Sequence, residues 1–238
     1  MLGYHHFMNL NELDCTKEPL NLAATLKSGQ AFRWRQDDAG TWWGTVRDSV
    51  LALSQPSGTP HSPVLWQTYP VLDQVELVTD YFRLNMKLDD LYSEWCEADP
   101  RMAAAVEKYR GLRILDQPPD EALFAFLCAT AKPIPQIERL VYLLAKEFGE
   151  AVTVPGAPND LHLFPTIDAL AQAPESAIRA MGWGFRAPRV PACANILVND
   201  PELLPSLIDM PYAEAVRALQ QFPGIGGKVA DCKLSFIA

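Results

Sequence analysis

A lysine that directly follows a glycine-rich turn is the residue best suited to chemistry in this chain. The turn Pro223-Gly-Ile-Gly-Gly227 separates two amphipathic stretches, and Lys228 opens the second. Proline ends the first predicted helix, and the glycines permit a tight reversal. The backbone amides of Gly226, Gly227 and Lys228 then lie at a helix N-terminus, where they can bind a phosphate.

Two common phosphate-binding motifs do not fit this segment. A nucleotide P-loop requires Gly-x-x-x-x-Gly-Lys-Ser/Thr, yet Phe222 takes the first glycine position and Val229 follows the lysine. A dinucleotide-binding fingerprint requires a preceding strand, whereas a helix is predicted here. From spacing alone, an ordinary corner between two helices remains an equal alternative.

Two further segments combine glycine with aromatic and basic side chains. They are Ser28-Gly-Gln-Ala-Phe-Arg-Trp34 and Met181-Gly-Trp-Gly-Phe-Arg-Ala-Pro-Arg189. An aromatic residue followed by arginine, after Gly-x-Gly, fits insertion into an opened nucleic-acid duplex. Phe185 could equally belong to the core.

These segments resemble, in the same order, the motifs of the 8-oxoguanine DNA glycosylase family, whose members contain a helix–hairpin–helix. The match runs from Ser-Gly-Gln-x-Phe-Arg-Trp at Ser28 through residues 109–128 and 181–189 to Phe-Pro-Gly-Ile-Gly-Gly-Lys-Val-Ala-Asp-Cys at the end. The resemblance implies an enzyme that flips oxidised guanine out of duplex DNA, cleaves its glycosidic bond and nicks the strand by a lyase step.

The resemblance also implies roles for individual residues. Lys228 would attack the sugar C1′ and form a Schiff base, and we expect a partly buried amine whose pKa is lowered at the helix start. The alternative is a solvated lysine just after a turn. Cys232 would line the base pocket, and a packed core thiol is an equal alternative. The carbonyl of Gly29 would accept the N7 hydrogen that distinguishes 8-oxoguanine from guanine. Phe185 would be an aromatic wedge, and Arg186 would contact the cytosine left behind. The family's phosphate and cation-binding hairpin corresponds to Gln220, Phe222, Gly224, Ile225, Gly226 and Gly227.

Two departures from the family pattern affect this prediction. The family has an asparagine-rich stretch that fills the vacated base stack, and this chain has Ala131-Lys-Pro-Ile-Pro135 instead. Lys132 and Gln136 are the candidate substitutes, so the preferred opposite base is open. The family's Val-Asp-x-His segment and later base-stacking helix are not found before Ala238, and we therefore expect a chain shortened at its C-terminus. Asp231 lies in the same helical turn as Lys228 and is not an obvious replacement.

Two other functions remain open. A DNA-binding protein that has lost its chemistry would keep the hairpin, and a glycosylase for alkylated bases would share both the sheet and the hairpin. Lys228 argues against the second alternative, because such enzymes activate water and need no lysine there.

Composition limits the class of protein and its partners. The net charge of −9 lies in residues 1–180, whereas residues 181–238 carry five basic and five acidic side chains. A nucleic-acid surface is therefore expected to be small and near the C-terminal end.

The five cysteines include no Cys-x-x-Cys pair, so we expect reduced thiols, no metal and no cofactor. No segment resembles a secretory signal or membrane span, so we expect a protein of the cytoplasm or, in a eukaryote, of the nucleus. The resemblance implies that it acts as a monomer on double-stranded DNA containing oxidised guanine.

Periodicity predicts an α+β protein with two domains. Residues 1–115 should form an N-terminal domain with an antiparallel sheet, which includes strands at residues 42–47 and 50–54. Residues 116–238 should form a helical domain that contains the hairpin. Helices are predicted over 121–128, capped by Asp120, and over 136–148, 166–172, 174–181 and 212–221.

Overall fold

The computed structural model describes residues 10–129 and 132–234, and these residues form two compact units. The first unit contains residues 10–44, 49–116 and 154–159. The second contains residues 45–48, 117–153 and 160–234. The mixture of an antiparallel sheet with many helices confirms the predicted α+β class.

The first unit is built on a five-stranded sheet. Its strands are β1 (Asn11–Leu13), β2 (Arg35–Gln36), β3 (Trp42–Val46), β4 (Ser49–Ser54) and β5 (Val64–Tyr69), in the spatial order β1-β5-β4-β3-β2. The pairs β1–β5, β4–β5 and β2–β3 are antiparallel. Nearly every residue of β3 and β4 is buried, so these strands form the core of the sheet.

Four helices belong to the same unit: α1 (Leu22–Leu26), α2 (Val75–Tyr81), α3 (Leu88–Ala98) and α4 (Met102–Lys108). Asn21 caps α1, because its side chain accepts a hydrogen bond from the amide of Ala24. Apolar residues at helical spacing after Leu72 indicate helices where α2 and α3 lie: Val75, Val78, Phe82, Leu88, Leu91 and Trp95. Helices α1 and α4 were not predicted.

The second unit is mainly helical. It contains α5 (Pro119–Ala129), α6 (Ile134–Phe148), α7 (Ile167–Ala171), α8 (Glu175–Ile178), α9 (Arg189–Asn199), α10 (Leu203–Ser206), α11 (Tyr212–Leu219) and α12 (Gly227–Leu234). Irregular helical turns cover Arg179–Trp183, Gly184–Arg186 and Leu207–Asp209. Two short strands, β6 (Ala151–Val152) and β7 (Leu161–His162), were missed by sequence analysis.

Helix α5 is the centre of this unit. Almost all of its side chains are buried, and it contacts α6, α9, α10 and α12. Its start corrects a prediction: the helix begins at Pro119, so Asp120 lies in the first turn rather than at the cap. Proline suits the first helical position because that residue needs no amide hydrogen bond. The Asp120 carboxylate accepts a hydrogen bond from the amide of Glu121 at 2.8 Å.

Helix α6 shows how a simple pattern directs packing. Its buried residues recur at spacings of three and four, which places them on one face of the helix: Ile137, Leu140, Val141, Leu144 and Ala145. The helix ends at Gly149, as predicted. No helix in the part of the chain that the structure describes has the length and apolar character needed to span a bilayer.

Candidate nucleic-acid interface

The predicted hairpin is formed by α11, a turn and α12. Helix α11 ends at Leu219, and Phe222 and Ile225 close the turn with a 3.0 Å hydrogen bond from the Ile225 amide to the Phe222 carbonyl. Both side chains are buried, which fixes the turn to the unit. Gly224 has φ +93°, a conformation that favours glycine.

The start of α12 exposes backbone amides. The first intrahelical bond runs from the amide of Ala230 to the carbonyl of Gly226 at 3.0 Å. Within residues 10–129 and 132–234, the amides of Gly226, Gly227 and Lys228 have no hydrogen-bond acceptor. All three residues are exposed. An anion in front of this turn therefore has access to several N–H donors and to the positive end of the helix dipole.

Lys228 is the second residue of α12. It is exposed, so the expectation of partial burial was wrong. The cause is its position in the first turn, beside two exposed glycines. In the described part of the chain, no carboxylate lies within ion-pair distance of its amine. Cys232 lies one turn later on the same helix and is half-buried, so the two side chains share one face.

Asp231, three residues after Lys228, binds another partner. Its carboxylate accepts a 2.6 Å hydrogen bond from the hydroxyl of Tyr212, the first residue of α11. This bond raises the pKa of the Tyr212 hydroxyl, because the neighbouring carboxylate favours the protonated phenol. Sequence analysis did not predict this contact, which joins the two helices of the hairpin.

Phe185 lies on a short exposed turn. The glycines on either side of Trp183, Gly182 and Gly184, both have positive φ, and the Phe185 side chain is 64% exposed. The alternative that Phe185 is a core residue is therefore excluded. Arg186 follows it and is buried, with its guanidinium carbon 4.3 Å from the centroid of the Phe185 ring.

Lys132 lies just before α6 and Gln136 lies in the first turn of that helix, while Thr130 and Ala131 lie outside the described residues. Lys132 is half-buried and Gln136 is exposed. Burial raises the pKa of the Cys128 thiol to about 12, and the positive charges of Lys132 and Arg186 oppose that shift. The positive charges of Lys132 and Arg186 thus both favour the thiolate form of the same buried Cys128.

Gly29 belongs to the first unit. It has φ +84°, and its carbonyl accepts no hydrogen bond from the described residues. The neighbouring Gln30 is buried and explains part of the motif: its amide nitrogen donates to the carbonyl of Arg113 at 2.8 Å, and its oxygen accepts from the amide of Leu115 at 2.9 Å. Trp34 donates from its indole nitrogen to the hydroxyl of Tyr81 at 2.9 Å.

The motif around Gly29 therefore has in part a structural role. Gln30 and Trp34 bind the segment to distant parts of the unit, and Gly29 directly precedes the first of these two anchors. No local pattern indicates the Gln30 contacts, because their partners lie more than 80 residues away in the chain.

The fold combines an antiparallel sheet with a helical unit that contains a glycine hairpin and a hairpin lysine, and comparisons with known proteins show what this arrangement is similar to. Residues 12–123 match the model of the 8-oxoguanine DNA glycosylase N-terminal domain. The chain is 32% identical over 226 residues to the N-glycosylase/DNA lyase OGG1 of Arabidopsis thaliana, covering 92% of this chain and 61% of that protein. It is 31% identical over 247 residues to an N-glycosylase/DNA lyase of Saccharomyces cerevisiae, covering 93% and 64%. These matches support the assignment of the chain to the 8-oxoguanine DNA glycosylase family.

A solved structure has the same fold. The 8-oxoguanine glycosylase/lyase of Clostridium acetobutylicum, in complex with double-stranded DNA containing cytosine opposite 8-oxoguanine, superposes with a TM-score of 0.82 at 24% identity. The match covers 97% of this chain and 79% of that one. The chain spans less than two thirds of the length of the two curated relatives.

Proposed function

We propose that this protein is a DNA repair enzyme that excises 8-oxoguanine from duplex DNA and cleaves the resulting abasic strand. The observation that carries the proposal is the exposed Lys228, which directly follows the exposed helix-start residues Gly226 and Gly227, whose amides bind no acceptor among the described residues. The turn would bind a backbone phosphate, and the amine would then be next to a sugar of the same strand.

The reaction follows from the chemistry of an amine. The lone pair of the Lys228 nitrogen attacks C1′, and the glycosidic bond breaks as the base leaves with the bonding electrons and takes up a proton. The C1′–O4′ bond then breaks as the sugar ring opens, and O4′ takes up a proton while the nitrogen forms the C=N bond of a Schiff base. The two protons lost from the amine balance those taken up by the base and by O4′. The C=N bond makes the neighbouring C2′ proton acidic, and its removal expels the 3′-phosphate by elimination, which cleaves the strand.

The other candidate residues keep the roles that the family resemblance gives them. Phe185 would enter the stack as a wedge, with Arg186, Lys132 and Gln136 near the opposite base. In the helical unit, the half-buried thiol of Cys232 would face the extruded base.

Borohydride trapping tests the proposal directly. The protein, as its gene encodes it, is incubated with a duplex containing 8-oxoguanine opposite cytosine, and borohydride reduces any Schiff base to a stable amine. We expect a covalent complex with the unsubstituted protein and with Lys146→Gln, a control for loss of an exposed lysine on α6. Lys228→Gln should give no complex while still binding the duplex, because glutamine has no nucleophilic lone pair.

Three outcomes would contradict parts of the proposal. Trapping that persists in Lys228→Gln would assign the chemistry to another amine. Binding without trapping by the unsubstituted protein would favour a DNA-binding protein without catalysis. Trapping on abasic DNA together with no excision of 8-oxoguanine would support the lyase step and contradict 8-oxoguanine as the substrate.

A further inference from the structure

The exposed Phe185 ring is contacted by two arginines. The guanidinium carbon of Arg189 lies 5.2 Å from the ring centroid, in addition to that of Arg186 at 4.3 Å. Both distances fall within the range of about 6 Å over which a cation is attracted to an aromatic face. An exposed phenylalanine on a turn would otherwise change rotamer on a picosecond to nanosecond timescale. The two arginines therefore restrict the direction in which the ring points.

Arg189 also contacts the hairpin turn. A Cβ added at Gly224 would lie 2.6 Å from Nη1 of Arg189 and 2.8 Å from its Cδ and Cζ. The outer part of the side chain thus lies along the bare backbone of Gly224. One helical turn later, the thiol of Cys193 lies 3.7 Å from the carbonyl of Pro223. Helix α9 is therefore in contact with the hairpin turn at two successive positions.

The positive charge of Arg189 lies at an unfavourable position. Arg189 is the first residue of α9, where the helix dipole disfavours a positive charge. No carboxylate among the described residues lies within ion-pair distance of it. Contacts with the Phe185 ring and with Gly224 offset this cost, and the planar guanidinium is suited to both because it stacks on flat surfaces.

We propose that Arg189 is a positioning residue that couples the hairpin turn to the Phe185 wedge. When the hairpin binds a phosphate, Arg189 holds the ring in the direction required for insertion, so that strand anchoring and wedge insertion occur together. This inference rests on the proposed function, since it requires a duplex into which Phe185 inserts.

Fluorescence of 2-aminopurine tests the coupling. The base is placed opposite a stable tetrahydrofuran abasic analogue, where a wedge that disturbs the stack raises its emission. At saturating protein, Arg189→Met should reduce the rise about two- to fivefold, which is the effect of losing one exposed cation–π contact. Arg189→Lys, a second variant that keeps the charge, should lose part of the signal. Arg179→Met removes the same charge from an ion pair with Glu175 and should leave the signal unchanged.

A double variant shows whether the effect passes through the wedge. In a Phe185→Ala background, Arg189→Met should cause no further loss, and a full additional loss would overturn the inference. An unchanged signal in Arg189→Met would also overturn it. If the unsubstituted protein gives no fluorescence rise yet is trapped by borohydride, the wedge and this inference fail while the proposed chemistry stands. If trapping fails but the signal depends on Arg189, only the chemistry fails.

Discussion

The hydroxyl of Tyr212 donates a 2.6 Å hydrogen bond to the carboxylate of Asp231, so the first residue of α11 is joined to the middle of α12. The glycine turn connects the end of α11 to the start of α12, and this bond adds a second link between the two helices. It also engages the carboxylate nearest in sequence to Lys228, which leaves that amine as an exposed charge on the same helix. The bond therefore contributes both to the shape of the hairpin and to its electrostatics.

Replacing Tyr212 with phenylalanine should destabilise the protein in a pH-dependent way. The pKa of the Tyr212 hydroxyl is raised in the folded protein by its bond to Asp231, so the folded state holds this proton more tightly than the unfolded state. The stabilisation is present below the unfolded pKa of about 10 and is lost as pH rises through the higher folded value. Urea unfolding at neutral pH should therefore give a lower midpoint for Tyr212→Phe, and the difference should shrink in strongly alkaline buffer.

Tyr109→Phe is the matched control for this measurement. Tyr109 is also exposed, and its ring is near the Lys108 amine at 5.3 Å, a contact that phenylalanine retains. Equal midpoints for the Tyr212→Phe variant and the unsubstituted protein at neutral pH would show that the Asp231 contact adds nothing to stability.

Local sequence patterns predicted the turns and the helix faces. Contacts between segments that are distant in sequence could not be predicted from such patterns. Pro223 and Gly224 act on their own backbone, so the hairpin could be placed from spacing alone. The contact between Arg189 and Gly224 depends on how α9 crosses the turn, and no local pattern encodes that crossing. The two-residue strands β6 and β7 were missed because two residues are too few to show an alternating pattern.

Exposure was the least predictable property of the candidate residues. The residue type of Phe185 is compatible with either a core or a surface position. In the structure the side chain is exposed, on a turn that contains two positive-φ glycines around Trp183. Lys228 was expected to be partly buried, but its burial depends on neighbours in space rather than on the helix start that the sequence defines.

Thiol reactivity should report on the predicted base pocket. Cys15, Cys128 and Cys193 are buried, and burial raises the pKa of the last two thiols to about 12, so these three should resist alkylation in the native protein. Cys96 and Cys232 are half-buried and should react first.

Duplex DNA containing an abasic analogue should slow alkylation of Cys232 and leave Cys96 on α3 unaffected. Mass spectrometry of peptides from a timed iodoacetamide reaction measures both rates in one sample. Equal protection of the two cysteines would indicate a general effect of DNA, and no protection of Cys232 would place it outside the interface.

Arg186 should influence the choice of opposite base. If its guanidinium contacts the base left behind, Arg186→Ala should reduce discrimination among the four opposite bases by about 1–3 kcal/mol. Because Arg186 is buried against Phe185, the substitution will also lower stability, and its melting temperature must be measured alongside binding. Binding constants for four duplexes that differ only in the opposite base provide the test. An equal loss of affinity for all four would show that Arg186 supports the ring without reading the base.

The amide of Gly227 should contribute to DNA affinity without contributing to its salt dependence. Gly227 is the first residue of α12, a position that accepts proline, and Gly227→Pro removes one N–H while keeping the helix. Losing a hydrogen bond to a charged phosphate should weaken binding by about tenfold or more. Gly227→Ala keeps the amide, and its Cβ would meet the nearest atom at 3.8 Å, so its affinity should be unchanged. The slope of log affinity against log salt should be equal in all three proteins, because no cationic side chain is removed. Equal affinities for the proline and alanine variants would mean that this amide does not bind the phosphate.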